Sequence, residues 1–151
     1  MASNFESLVT TGLNKYRFVA SLHVQHPTVE PDQMTDGLRL IPKSVKRRGE
    51  QRRRLDGELL SGNWDENQWR TDLEIVAGHD VSEFLDDFIG VQVSHATSFL
   101  RHIDDTGGDV TIFIGVFADG LCDFEISAKL LRQLGNAGIS VRLDYYGSAE
   151  K

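Results

Sequence analysis

The segment VTIFIGVFADGLCDFEIS constrains the fold of this chain more than any other. Val110, Ile112, Ile114 and Val116 alternate with Thr111, Phe113 and Phe117, the period of a β-strand with one buried face. Ala118, Asp119 and Gly120 predict a turn, because Asp-Gly tolerates the positive φ that a tight hairpin needs. Cys122, Phe124 and Ile126 then predict a return strand. Three further runs alternate. RFVASLHVQ sets Phe18, Ala20, Leu22 and Val24 against Val19, Ser21 and His23. WDENQWRTDLEIV sets Trp69, Thr71, Leu73 and Ile75 against Gln68, Arg70, Asp72 and Glu74, a strand with one wet face. ISVRLDYY puts Ile139, Val141, Leu143 and Tyr145 on one side.

Helical signals lie between these runs. Pro31 with Asp32 behind it predicts a first helical turn, with Met34 and Leu38 inward and Gly37 and Pro42 bracketing the end. In GHDVSEFLDDFIGVQVSHATSFLRHIDDTGG, Asp80 or Ser82 supplies a cap and Val81, Phe84, Leu85 and Phe88 form an apolar stripe. A second stripe, Val93, Ala96, Phe99, Leu100 and Ile103, points about 60° away from the first at 100° per residue. One straight helix cannot bury both, so a break near Gly90 is expected. Ser127 caps a last helix with Leu130, Leu131 and Leu134 inward and Gly138 closing it. The order βαβ, βαβ, βαβ predicts an α+β fold: a mainly antiparallel sheet, helices on one face, in an extended ferredoxin-like arrangement. Residues 1–15 read as a loose N-terminal arm and 16–147 as a single α+β domain.

Charge is distributed unevenly. KSVKRRGEQRRRLDG, residues 43–57, carries seven basic and two acidic groups, a local balance of +5 in a chain of net charge −7. The remainder carries nine basic and twenty-one acidic groups, a balance of −12. An acidic body repels polyanions and attracts basic partners at ranges of about 8 Å in physiological salt. No apolar run approaches the ~18 residues of a membrane span. The start lacks a basic n-region and an apolar h-region, so no secretory signal is expected. Cys122 is the only cysteine, which excludes an intrachain disulfide and suits a reducing cytoplasm. Its neighbours Asp123 and Glu125 argue for a packed thiol rather than a reactive one.

IPKSVKRRGEQRRRLDGELLSGNWDENQWRTDLEI, with LHVQHPTVEPDQ before it and the terminal ISVRLDYY, resembles a bacterial family of unknown function, domain family 4279. Pro42, Gly49, Arg52, Arg53, Gly57, Gly62, Trp69 and Tyr145 carry the likeness, over residues 16–146. The resemblance implies no established activity and no cofactor. It does imply that the basic, glycine-containing loop is a family trait.

Each candidate site has a plainer account beside it. Arg52, Arg53 and Arg54 could grip phosphates, or pair with the surplus of acids on the same body. Exposed pairs of that kind are worth only about 0–1 kcal/mol. Residues 43–57 contain no aromatic ring for base stacking, which with the net charge argues against nucleic acid. His23 and His26, three apart on a strand, fall on opposite faces. His95 and His102 fall on the polar side of a helix, so no metal is expected. The adjacent acids Asp86–Asp87 and Asp104–Asp105 do not face each other on a helix and form no catalytic dyad. Trp69 is expected in the core. Trp64, in a turn-rich passage beside the basic loop, is expected as an exposed interface anchor.

These features predict a small cytoplasmic protein that works by binding and not by catalysis. Its acidic face would meet a basic protein partner, as an immunity-type protein meets a toxin nuclease. A second expectation is an anion, phosphate-ligand or RNA binder using Arg47, Arg48, Arg52 and Arg53, with Trp64 beside them. A third is a small enzyme with a cleft next to that loop. No catalytic residue, metal or cofactor is assigned, and the sequence leaves the oligomeric state open.

Overall fold

The computed structural model describes residues 9–10 and 15–147. Most of the expected N-terminal arm lies outside them. Within it, Val9–Thr10 forms a short strand, β1, antiparallel to Lys15 and Tyr16.

The sheet is built around β2, Lys15–His26. Its even-numbered residues Tyr16 to His26 are all buried, as the alternation requires. β6 (Asn67–Leu73) and β7 (Asp109–Ala118) flank it, both antiparallel, with Val24 opposite Trp69 on one side and Val110 on the other. β3 (Ser44–Lys46) extends the sheet beyond β6, and β8 (Ile139–Tyr146) extends it beyond β7, giving the order β3-β6-β2-β7-β8. Val110, Ile112, Ile114 and Val116 join Phe18, Leu22, Val24 and Trp69 on one buried face.

Helices cover that face. α1 (Pro31–Leu38) contributes Met34 and Leu38, and α2 (Val81–Phe88) contributes Val81, Phe84, Leu85 and Phe88. α3 (Thr97–Asp105) adds Leu100 and Ile103, and α4 (Ala128–Asn136) adds Leu130 and Leu134. Leu131, expected inward, is exposed. The architecture is thus α+β with a mainly antiparallel sheet. None of these helices is long and apolar enough to cross a membrane.

The ferredoxin-like βαβ order is not confirmed. β2 and β6, the first helix-linked pair, are direct antiparallel neighbours. Among the described residues the one parallel pair is β7 with β8, joined through α4. The expected hairpin after Val116 is also absent: residues 119–127 form no strand. Both edges of β7 are already taken, one by β2 and one by β8, so a return strand has no free edge. Cys122, Phe124 and Ile126 alternate because they pack successively against the core as part of the crossover that a parallel pair requires. β8 keeps only Ile139 fully buried; Leu143 and Tyr145, on the same side of the strand, are exposed at the sheet margin.

Local chemistry sets the helix ends. Gln33 Oε1 accepts from Glu30 N–H at 2.8 Å at the start of α1, and Asp80 and Glu83 form a reciprocal box at α2. α1 ends on Arg39 at φ 59, not on Gly37. Gly37 instead serves the packing of two helices. A Cβ there would lie 2.4 Å from the Phe99 ring, so its bareness lets α1 approach α3. The break near Gly90 is a π-helical turn, Ile89–Val93, closed by Ser94 N–H donating to Ile89 C=O at 3.2 Å. This wide turn re-phases the apolar stripe, so Phe88, Val93 and Leu100 are all buried. Tyr16 accepts a hydrogen bond from Val81 N–H, an amide at the start of α2 with no partner inside the helix. Burial pushes this phenol up to about 12.

The basic stretch divides between the main sheet, which it joins through β3, and a second, two-stranded sheet. β4 (Gln51–Arg53) pairs antiparallel with β5 (Leu59–Asn63), and Arg54 N–H donates to Glu58 C=O at the tip. Residues 55–63, LDGELLSGN, read from sequence as a turn-rich passage, yet Leu59–Asn63 is a strand. A ribbon exposed on both sides has no buried face to imprint an alternating pattern, so β5 leaves little trace in composition.

Candidate functional site: the open face of the sheet

With every helix on one side, the odd-numbered residues of β2 and β7 form an open face. Strand register arranges this face in cross-strand rungs. Arg17 lies opposite Phe117, which lies opposite Tyr146. Val19, Gly115 and Asp144 form the next rung, and Asp72, Ser21, Phe113 and Arg142 the one after. His23 follows, paired with Arg70 on one side and Thr111 on the other.

The rings and guanidinium groups are packed together. The Tyr146 ring stacks on Phe117 at 4.8 Å, and the Arg17 guanidinium sits 4.2 Å from the Phe117 centroid. His23 lies 4.0 Å from the Phe113 ring, and Arg142 lies 5.3 Å from it. Cation–ring contacts of this kind contribute about 0.5–1 kcal/mol at exposed sites. Gly115 separates the two aromatic groups. A Cβ there would come within 3.3 Å of the side chains of Val19 and Tyr146, so the missing side chain lets those two close over the strand.

The result is a groove of about 790 Å³, lined by this face and the end of β6 and its exit as far as Ile75. Its size is that of a small-molecule site. Asp72 and Asp144 bring carboxylates to it, and Arg70 brings a guanidinium. Asp72 is held by Lys43 at 2.7 Å and by Arg70 at 3.1 Å. Ser21 Oγ lies 3.0 Å from His23 Nε2. Burial lowers the pKa of His23, with Arg70 adding to the effect, so the ring is neutral near pH 7. No carboxylate among the described residues hydrogen-bonds its other ring nitrogen. The contact therefore lacks the third group that would orient a catalytic pair.

The arginines of the basic loop lie elsewhere, and their contacts are local. Arg47 reaches Glu30 at 3.5 Å and Asp32 at 3.4 Å. Arg48 donates to the Pro27 carbonyl at 3.0 Å, and Arg53 to the Gly57 carbonyl at 3.4 Å. Arg54 pairs with Glu58 at 3.1 Å. Arg52 turns outward onto Trp64, its guanidinium 5.6 Å from the ring, while Lys46 sits 4.5 Å away. Trp64 is half-buried by these two cations. Asn67 fixes the base of the loop: its side chain accepts from Arg48 N–H at 2.8 Å and donates to Val29 C=O at 2.9 Å.

The histidines divide as strand geometry requires, His23 to the open face and His26 to the core. His95 and His102 are exposed. Among the described residues, no three His, Cys, Asp or Glu side chains converge as a metal site would need. Cys122 is partly buried, and burial with Asp123 beside it raises its thiol pKa.

A family model described as Domain of unknown function (DUF4279) matches residues 14–148, from the first residue before β2 to just beyond β8. The chain belongs to this family. Comparison with curated proteins and with solved structures gives no match. For this DUF4279 chain the sequence pointed to the 43–57 loop, whereas the groove draws on Gly115, Phe117 and Tyr146. The signal for them was Phe113 and Phe117 on the phase of β7 that ought to be polar.

Proposed function

We propose that this chain is a non-catalytic binding module whose ligand sits on the open face of the sheet. The observation that carries the reading is the groove of the open face, with Phe113 on one side of Gly115 and the stacked Phe117–Tyr146 pair on the other. A planar ring suits such an aromatic lining, because offset stacking on aromatic faces needs flat surfaces at van der Waals distance. Asp72 and Asp144 would accept from ring donors, and Arg70 would donate to an acceptor or anionic group. The ligand class is therefore a small heteroaromatic compound with both donors and acceptors.

Gly115→Val tests this. Its side chain displaces Val19 and Tyr146 and so reshapes the groove floor, while strand backbone favours a β-branched residue and the facing atoms are side chains that can shift. In a screen of mononucleotides and heteroaromatic carboxylates, wild type should show binding that the variant loses, with the variant still folded. A screen in which the two proteins bind alike removes the groove from consideration.

A second reading has its own support. α2 and its flanks, residues 80–93, carry Asp80, Glu83, Asp86 and Asp87 without one Lys or Arg. That strip is suited to a basic protein partner. If it is the contact, reversing charge with E83K and D86K together should slow association and weaken its salt dependence. Unchanged association kinetics would retire it. The 43–57 loop is less suited to a phosphate or RNA, since its arginines are engaged with carboxylates, carbonyls and Trp64.

A further inference from the structure

β8 closes the sheet on the side away from β3, and among the described residues no strand pairs with its outer edge. It runs eight residues without a proline, and Leu143, Tyr145 and Tyr146 are about half exposed along it. An uncovered edge of this length is a template for another strand.

The residues around Leu143 say which strand. If two copies of β8 lie antiparallel with Leu143 opposite Leu143, Arg142 of each copy faces Asp144 of the other. Val141 then faces Tyr145, and Ser140 faces Tyr146. Residues directly opposite share a face of the sheet, so both charge pairs form on the open side and the apolar contacts on the helix side. Centring the pairing on Arg142 or on Asp144 would set like charge against like, which selects the Leu143 register. Within one chain Arg142 and Asp144 are 3.6 Å apart, Arg142 exposed and Asp144 partly so, and both can reach solvent for this exchange of partners.

The geometry points to a symmetric dimer in which β8 pairs edge to edge with β8 of a second copy, making one continuous sheet. The two-fold axis stands perpendicular to the sheet. Both helix layers therefore lie on one side and both grooves on the other, with Tyr146 of each copy beside the junction.

Sedimentation across a concentration series tests this. Wild type should reach twice the 16.9 kDa of the chain. R142D and D144R, each turning both symmetric pairs into like-charge pairs, should weaken association about tenfold or more. The double variant R142D/D144R restores opposite charges and should recover the dimer. A wild type that stays monomeric, single variants that dimerise like wild type, or a double variant no better than the singles overturns the proposal. Should a single variant fail to fold, amide exchange in wild type decides: it must slow within Ile139–Tyr146 as concentration rises, and concentration-independent exchange there overturns the proposal.

Discussion

Replacing Trp69 with alanine is expected to cost about 3–5 kcal/mol, the range for emptying a buried tryptophan site. Trp69 is 1% exposed, and its strand lies between β2 and β3. Its indole N–H donates to Thr35 Oγ1 at 3.0 Å, which ties α1 to the sheet. Alanine therefore leaves a cavity under α1 and also leaves the Thr35 hydroxyl without that donor. For a chain of this length the loss amounts to a Tm drop of about 10 °C or more. Chemical denaturation should show a lower midpoint with unchanged slope. Trp69→Phe keeps most of the volume and should recover a large part of the loss. A wild-type midpoint in the alanine variant would mean that α1 does not dock on β6 as described.

His26→Ala is expected to be comparably damaging, and it makes stability respond differently to pH. His26 is buried, with Nδ1 accepting from Thr28 N–H at 2.9 Å and Val29 N–H at 2.8 Å. The other nitrogen, 2.7 Å from Thr106 Oγ1, must then carry the proton and donate. Thr106 in turn donates to the His102 carbonyl. Alanine strands two backbone amides, each worth about 1–3 kcal/mol when left unsatisfied. The ring is also packed tightly, since a Cβ on Gly108 would lie 2.6 Å from it.

Because both nitrogens are committed, the neutral ring is the folded form. Burial lowers its pKa, helped by His102 and opposed by Glu66. Below the ordinary histidine pKa of about 6.5 the unfolded chain takes up a proton that the folded chain refuses. The contribution of His26 is thus complete above that value and is lost as pH falls through it toward the lower folded pKa. His23, lowered in the same direction, adds to the slope. Wild-type stability should fall as the pH drops below about 6.5, and His26→Ala should flatten that fall. An equal slope in both proteins would assign the acid sensitivity to other groups.

Much of the fold was legible because one face of each central strand is buried. Phe18 to Val24, Val110 to Val116 and Trp69 with Thr71 carry the buried phase in their spacing. Capping residues Asp80 and Ser127 and the two misaligned stripes around Gly90 placed the helices and their break. What failed was strand partnership. Cys122, Phe124 and Ile126 alternate as a strand would, and only the occupation of both β7 edges shows that they cross over instead. The partners of the arginines were equally hidden, since Glu30 and Pro27 are distant in sequence from Arg47 and Arg48. The groove was half visible: Phe113 and Phe117 stood out of phase, but their exposure depends on all the helices choosing the other face.

That placement is the centre of the account, and an amide-resolved NMR titration with a heteroaromatic probe that binds wild type tests it most directly. Shifts should concentrate at Ser21, Phe113, Gly115, Phe117 and Tyr146, and should vanish in Gly115→Val while the remaining spectrum stays that of the folded protein. Shifts concentrated instead on the Arg47–Trp64 loop or on α2, or undiminished in Gly115→Val, would contradict it.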